Sequence, residues 1–280
     1  MQIEKTVEGV RAQVRAWRKE GLRIGLVPTM GYLHEGHQSL IDRAVKENDR
    51  VVVSVFVNPI QFGPTEDLDT YPRDFEADCI LCEKAGAALV FAPEVSEMYV
   101  EDFSTFVDTS KVTEELCGKS RPTHFRGVCT VVNKLFHIAA PDRAYFGQKD
   151  AQQLAVVRRM VRDLNMDIEI IGCPIIREKD GLAKSSRNAY LSPEERKAAL
   201  VLSKAIFTGK AMVEEGEKDG EKVLETMRNI IQAEPLARID YVEMVKWDTI
   251  EPHHQIDCPI LVAIAVYIGK TRLIDNFLSH

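Results

Sequence analysis

From Thr6 to about Pro174 the chain alternates between helical and strand periodicity, and no other feature constrains its fold as strongly. Strands separated by helices are joined by crossovers, and crossovers place the strands parallel with helices on the faces of the sheet. The expected architecture is a Rossmann-like, doubly wound α/β sheet. A helix over Thr6–Glu20, capped by Thr6 and stopped by Gly21, precedes a strand over Leu22–Val27. Arg50–Val57, nearly continuous in Val and Phe, reads as a strand buried on both faces. A helix over Pro72–Ala85, a strand over Ala87–Phe91, a helix over Arg126–Ala139 and strands over Asp142–Phe146 and Ile168–Ile176 continue the pattern.

The character changes at Ser192, which caps a helix with Pro193 at its first position and Glu195 at the capping-box site. Polar helices follow to about Ala233, and strands over Ile239–Val245, Ile260–Ile268 and Thr271–Asn276 close the chain, with Gly269-Lys270 as a hairpin turn. The spacing predicts two domains: residues 1–176 carry the α/β sheet, and residues 177–280 form a smaller α+β domain. The latter has no glycine-rich loop or clustered reactive residue types, so it reads as a lid.

Composition narrows the class. Hydrophobic residues make up 45% and charged residues 28%, and no apolar run approaches the ~20 residues that cross a bilayer. The start, Met-Gln-Ile-Glu-Lys, lacks the basic-then-apolar order of a secretory signal, so a cytoplasmic location is expected. Six cysteines, Cys79, Cys82, Cys117, Cys129, Cys173 and Cys258, are scattered without a disulfide framework, in keeping with a reducing compartment. A net charge of −7 and the lack of a basic stripe argue against nucleic acid as a partner. Cys79 and Cys82 form a C-x-x-C with no second pair to complete a zinc site; with Phe75 and Gly86 they fall at helical spacing, as a buried helix face would.

The chemistry concentrates in the loops that follow strands. Pro28-Thr29-Met30-Gly31-Tyr32-Leu33-His34-Glu35-Gly36-His37 places an H-x-G-H between a strand and a helix, whose apolar positions are Leu40, Ile41, Ala44 and Val45. A helix N-terminus offers unpaired N–H groups and partial positive charge, and two imidazoles one turn apart add donors, which suits a nucleoside triphosphate. Gly31 and Gly36 let the backbone approach a bulky anion. No H-E-x-x-H or third ligand accompanies the histidines, so no metal site built from protein side chains is expected. Asn58 and Gln61, in the exit loop of the next strand, are expected in the same crevice. Gly147-Gln148-Lys149-Asp150 opens a helix that turns Ala151, Leu154, Ala155 and Met160 inward and sets Lys149 and Gln153 on one face near its N-terminus, where an anion meets both the amine and the dipole. Lys184-Ser185-Ser186-Arg187-Asn188 groups cations and hydroxyls able to wrap outer phosphates.

Taken in order, Pro-Thr-Met-Gly-x-Leu-His-x-Gly-His, Val-Asn-Pro-x-Gln-Phe, Tyr-Pro-Arg, Phe-Gly-x-Lys-Asp-x-Gln-Gln and Ser-Ser-Arg-Asn span most of the first two-thirds of the chain. In these motifs the sequence resembles the pantothenate synthetase (pantoate–β-alanine ligase) family of the HxGH nucleotidylyltransferase superfamily. The resemblance implies condensation of (R)-pantoate with β-alanine, driven by ATP with Mg²⁺ through a pantoyl adenylate, with release of AMP and pyrophosphate. It implies that Met30 to His37 form the ATP loop, including Gly31, Tyr32, Leu33, Glu35 and Gly36, with His34 and His37 on the phosphates and His37 as proton donor. Gln61 and Gln153 would grip pantoate. Gly147, Gln148, Lys149 and Asp150 would form a second ATP segment in which Lys149 stabilises the transition state and Asp150 reaches the ribose. Ile176 would touch adenine, and Lys184, Ser185, Ser186 and Arg187 would close over phosphate. Many members carry methionine where Lys184 stands. A homodimer formed through the first domain is also implied, and the alternating segment Asp102–Val112 is a candidate edge. The competing reading is another adenylyl- or cytidylyltransferase of the superfamily, but a phosphorylated acceptor calls for basic residues where Gln61 and Gln153 are neutral.

Overall fold

The computed structural model describes residues 1–64 and 66–279. Its elements, in chain order, begin with β1 (Gln2–Glu4), α1 (Val7–Lys19), β2 (Ile24–Thr29), α2 (Glu35–Glu47), β3 (Arg50–Val55), α3 (Phe75–Lys84) and β4 (Leu89–Phe91). They continue with α4 (Val95–Met98), α5 (Cys117–Ser120), α6 (His124–Ala139), β5 (Arg143–Gly147), α7 (Ala151–Asp163) and β6 (Glu169–Cys173). Last come α8 (Pro193–Ala198), α9 (Leu200–Glu214), α10 (Gly220–Gln232), β7 (Ala237–Lys246), β8 (Ile260–Ile268) and β9 (Thr271–Ser279).

The chain divides into two compact units. The first comprises Met1–Thr109, Thr123–Gln148 and Val156–Pro174; the second comprises Ser110–Pro122, Lys149–Ala155 and Ile175–His280. The division does not follow chain order. Residues 110–122 and 149–155 group with the C-terminal part because the Gln152 side chain bonds Val112 O, Glu115 O and Cys117 N, and Asn276 Nδ2 donates to Lys149 O.

In the first unit six parallel strands run in the order β1-β4-β3-β2-β5-β6. The order reverses between β2 and β5, and a crevice opens at such a switch point beyond the carboxyl ends of the strands. Thr6 caps α1, accepting from Gly9 N, and Gly21 leaves the helix at φ +74°. Arg18 on α1 bonds Asp142 Oδ1 at 2.9 Å, while Asp142 Oδ2 accepts Ile24 N at 2.6 Å, which joins the starts of β2 and β5. β3 is buried from Val51 through Ser54, as its unbroken apolar run requires.

Two details differ from expectation. β1 pairs with β4 although its three residues carry no readable period. α3 buries Asp78 and Cys82, while Phe75 is 39% exposed and Cys79 is only half-buried, because a carboxylate is drawn inward by backbone donors described below. Residues 103–110 pair with no strand among the described residues of this chain, and Val107 N donates to Thr130 Oγ1 of α6 at 3.0 Å.

The second unit holds an antiparallel sheet in the order β7-β8-β9, turned at Gly269 (φ +57°) between the paired Ile268 and Thr271. Alternate residues of β8, from Ile260 through Ile264 to Ile268, pack with Leu202 and Ile206 of α9 and Met227 of α10. Ser192 and Glu195 cap α8 reciprocally, at 3.2 and 2.8 Å.

Candidate active site

The loop after β2 is held from below. Thr29 Oγ1 donates to Ser54 O at 2.6 Å and accepts Gly31 N at 3.2 Å. Gly31 adopts φ +83°, and a Cβ there would lie 2.9 Å from Asp78 Oδ2 and 3.0 Å from Val55 Cγ1, so glycine is needed for both conformation and space. Tyr32 follows at φ +52°, unusual for a bulky side chain. Asp78, 2% exposed, accepts Tyr32 N at 2.9 Å and Leu33 N at 2.6 Å. Burial pushes its carboxyl above the usual aspartate range, against the pull of those two donors. Asp78 did not stand out in the sequence, where it sat beside positions assigned to an apolar helix face.

His34 is the N-cap of α2. Its Nδ1 accepts Gly36 N at 3.1 Å, while His37 Nδ1 accepts His34 N at 3.3 Å, a capping box built from two imidazoles. A ring nitrogen that accepts is the unprotonated one, so in the neutral form each imidazole carries its hydrogen on Nε2. The ring centroids lie 4.1 Å apart. The backbone N–H groups of Tyr32, Leu33, His34 and Gly36 are bonded within the protein. Glu35 is exposed on the first turn.

Met30 and Gln61 come together: Gln61 Nε2 contacts Met30 Sδ at 3.1 Å. Gln61 lies in a 3-10 turn, Pro59–Gln61, and its Oε1 accepts Asn58 Nδ2 at 2.9 Å. Asn58 is 1% exposed and also bonds Gly127 O at 3.1 Å and Tyr99 Oη at 2.7 Å, so it orients Gln61 rather than facing the crevice as expected. α6 approaches this turn so closely that a Cβ on Gly127 would fall 2.5 Å from both Gln61 Cα and Ile60 O.

Gly147 and Gln148 end the β5 segment in the first unit, and the remaining candidates belong to the second. Lys149 and Asp150 lie in a 3-10 turn, Gln148–Asp150, one step before α7 rather than within its first turn. Lys149 Nζ sits 3.1 Å from Asp150 Oδ2, and Asn276 Nδ2 holds the Lys149 carbonyl at 2.9 Å. Two adjacent glutamines differ in role: Gln152 is buried and spends its amide on backbone groups, while Gln153 is half-buried.

Ile176 and Lys184 are brought together at the base of one hairpin, Lys184 N donating to Ile176 O at 2.9 Å beside the Arg177↔Ala183 bridge. Ser185 Oγ accepts Arg187 N at 3.2 Å and opens a 3-10 turn, Ser186–Tyr190, in which Ser186 is buried. Arg177 clamps this hairpin to β9 with a bidentate pair to the buried Asp275, at 2.7 and 2.9 Å. Neither partner of that pair drew attention in the sequence, since they are 98 residues apart.

One trio of potential metal ligands occurs among the described residues: His253, Asp257 and Cys258, with ligand atoms within 4.8 Å of one another. His253 Nε2 and Asp257 Oδ1 are hydrogen-bonded at 2.7 Å, which holds the Asp257 carboxyl below its usual range. Nitrogen and sulfur donors suit a softer ion than Mg²⁺, which takes oxygen ligands.

A family model described as pantoate-beta-alanine ligase matches residues 2–278. A pantothenate synthetase of Ruminiclostridium cellulolyticum is 65% identical over 277 residues, covering 99% of this chain and 98% of the relative. The crystal structure of pantothenate synthetase from Thermus thermophilus superposes with a TM-score of 0.93 at 46% identity, covering 99% of each chain. That of the Francisella tularensis ligase, complexed with beta-gamma ATP and beta-alanine, gives 0.81 at 32% identity, covering 99% of this chain and 97% of that one. The chain therefore belongs to the pantoate-beta-alanine ligase family, whose members join pantoate to β-alanine at the expense of ATP.

Proposed function

We propose that this chain makes pantothenate in two steps through an acyl adenylate. A pantoate carboxylate oxygen attacks the α-phosphorus of ATP as the bond to the β-phosphate oxygen breaks and pyrophosphate leaves. The neutral amine of β-alanine then attacks the acyl carbon, losing a proton as AMP departs. Neither step needs a protein nucleophile, so catalysis rests on positioning and on neutralising the leaving groups.

The observation that carries this reading is the geometry of the H-x-G-H motif: His34 Nδ1 accepts Gly36 N, His37 Nδ1 accepts His34 N, and the two rings stand with centroids 4.1 Å apart at the N-terminus of α2, a place and a residue type suited to phosphate oxygens. His37 is the proton donor to the leaving group. Lys149 meets charge developing on the phosphates, Asp150 the ribose, Ile176 the adenine, and Lys184 to Arg187 the outer phosphates. Gln61 and Gln153 hold pantoate, each amide offering donor and acceptor to a hydroxy acid. Mg²⁺ fits as a companion of the triphosphate rather than of a dedicated protein cage, since such ions are held largely by substrate phosphates and water. When bound it neutralises phosphate charge. We also propose a cytoplasmic homodimer formed through the first unit; sedimentation velocity giving a monomer mass at micromolar concentration would remove the dimer.

The decisive experiment is the half-reaction. Labelled pyrophosphate should exchange into ATP with pantoate and Mg²⁺ present and β-alanine absent, and added β-alanine should then release AMP and pantothenate in equal amounts. Folded protein that shows no pantoate-dependent exchange would overturn the adenylate route and direct attention to nucleotidyl transfer onto another acceptor.

A second test concerns the Gln61 turn. Gly127→Ala forces a methyl group against Gln61 Cα and Ile60 O, each 2.5 Å away, and overpacking of this kind costs about 1–3 kcal/mol. We predict that it weakens pantoate roughly tenfold, about 1.4 kcal/mol, with ATP affinity nearly retained. Calorimetric titration with unchanged pantoate affinity would disconnect Gln61 from the acid.

A further inference from the structure

We propose that Asp78 is a positioning residue for ATP: its carboxylate holds the Gly31-Tyr32-Leu33 turn in the conformation that presents His34 and His37, without touching the nucleotide. The proposal rests on the ATP-binding role given above to the H-x-G-H loop.

Three observations meet at this residue. Asp78 is 2% exposed on the inner face of α3, one turn before the fully buried Cys82. A charge there is costly unless its lone pairs are filled, and an apolar side chain would serve the helix's packing better. Both of its oxygens are committed: Oδ2 to Tyr32 N and Oδ1 to Leu33 N. These amides belong to consecutive residues just after the left-handed Gly31, and Tyr32 is itself left-handed. Successive N–H groups in such a turn form a concave anion-binding nest. Here the anion is supplied by the protein. The consequence reaches His34, because Leu33 leads directly into it and its N-cap geometry engages both imidazoles through Nδ1. The Asp78 carboxylate thus occupies the nest from below, keeps its two amides from competing for phosphate, and leaves recognition to the histidines that follow.

An amide cannot replace this carboxylate. In Asp78→Asn one oxygen still accepts a backbone N–H, but the NH₂ group faces the other donor and the turn is released on one side. The variant also sheds the cost of a buried charge, which offsets part of the lost bond, so folding and function separate. We expect Asp78→Asn to raise KM for ATP at least tenfold in the pyrophosphate-exchange assay, with pantoate affinity within twofold of wild type and the concentration of active sites, titrated by adenylate burst, unchanged. A carboxylate that serves the core alone would lower the melting temperature and the active-site concentration while leaving KM for ATP where it was; that pattern overturns the proposal.

Gly31→Ala strains the same turn from the other side, since its Cβ would press on Asp78 Oδ2 at 2.9 Å, and it decides the matter should Asp78→Asn not fold. It should raise KM for ATP similarly. In the double variant the effects should be strongly less than multiplicative, because one released turn cannot be released twice. Multiplicative effects, or Gly31→Ala with normal KM for ATP, would refute the link. Failure of the underlying ATP assignment looks different: His34→Ala and His37→Ala would then leave ATP affinity unaltered as well.

Discussion

Replacing Lys149 with alanine should slow adenylate formation by at least ~10²-fold, the usual consequence of removing one preorganised donor from developing negative charge. The proposed role needs a restrained amine. Its residue sits in a short 3-10 turn whose carbonyl is held by Asn276 at 2.9 Å, and its Nζ rests 3.1 Å from Asp150 Oδ2, so the side chain starts from a restrained position. Pantoate affinity should change far less, because the proposed contact strengthens only as pyrophosphate leaves. Lys149→Arg should recover little, since a planar fork does not occupy the place of a compact ammonium. Rapid-quench measurement of adenylate at near-normal rate in Lys149→Ala would remove Lys149 from the chemistry.

The largest effect on stability is expected at Arg177. Its guanidinium forms a bidentate pair with Asp275, which is 2% exposed, and removing one partner of a buried pair typically costs about 3–5 kcal/mol because the other charge is stranded. Even in the wild type, burial raises the Asp275 carboxyl above its ordinary range, with Arg177 opposing the shift. The folded state therefore binds this proton more readily than the unfolded state, and stability falls as pH rises from the unfolded aspartate pKa through the folded one. Arg177→Ala removes the opposing charge, so the window widens upward and the penalty is greatest at neutral pH. Urea titrations of the variant should show stability recovering on acidification from pH ~7 to ~5, relative to wild type. A pH-independent difference would show that Asp275 is not the stranded charge. The hairpin that joins Ile176 to Lys184 depends on the same clamp, so KM for ATP should rise in parallel.

The sequence carried the parallel sheet, the helix caps at Thr6 and Ser192, the Gly269 turn and the H-x-G-H loop, because each depends on residues within about a turn of one another or on a period that repeats locally. β1 escaped notice for want of length, and within the alternating segment Asp102–Val112 the backbone of Val107 bonds the side chain of Thr130 rather than a strand of this chain. Where each polar side chain spends its hydrogen bonds was settled only in three dimensions. Asn58 became the support of Gln61, Gln152 the support of the 112–117 backbone, and Asp78 the anion beneath the H-x-G-H loop. Composition and spacing cannot separate Gln152 from Gln153, or tell a buried acid from an exposed one, since the partners that decide lie 35 to 46 residues away in the chain. Local periodicity dictated the elements; the pairing of buried donors with acceptors, which is non-local because no buried polar group can be left to water, decided how the loops present their chemistry.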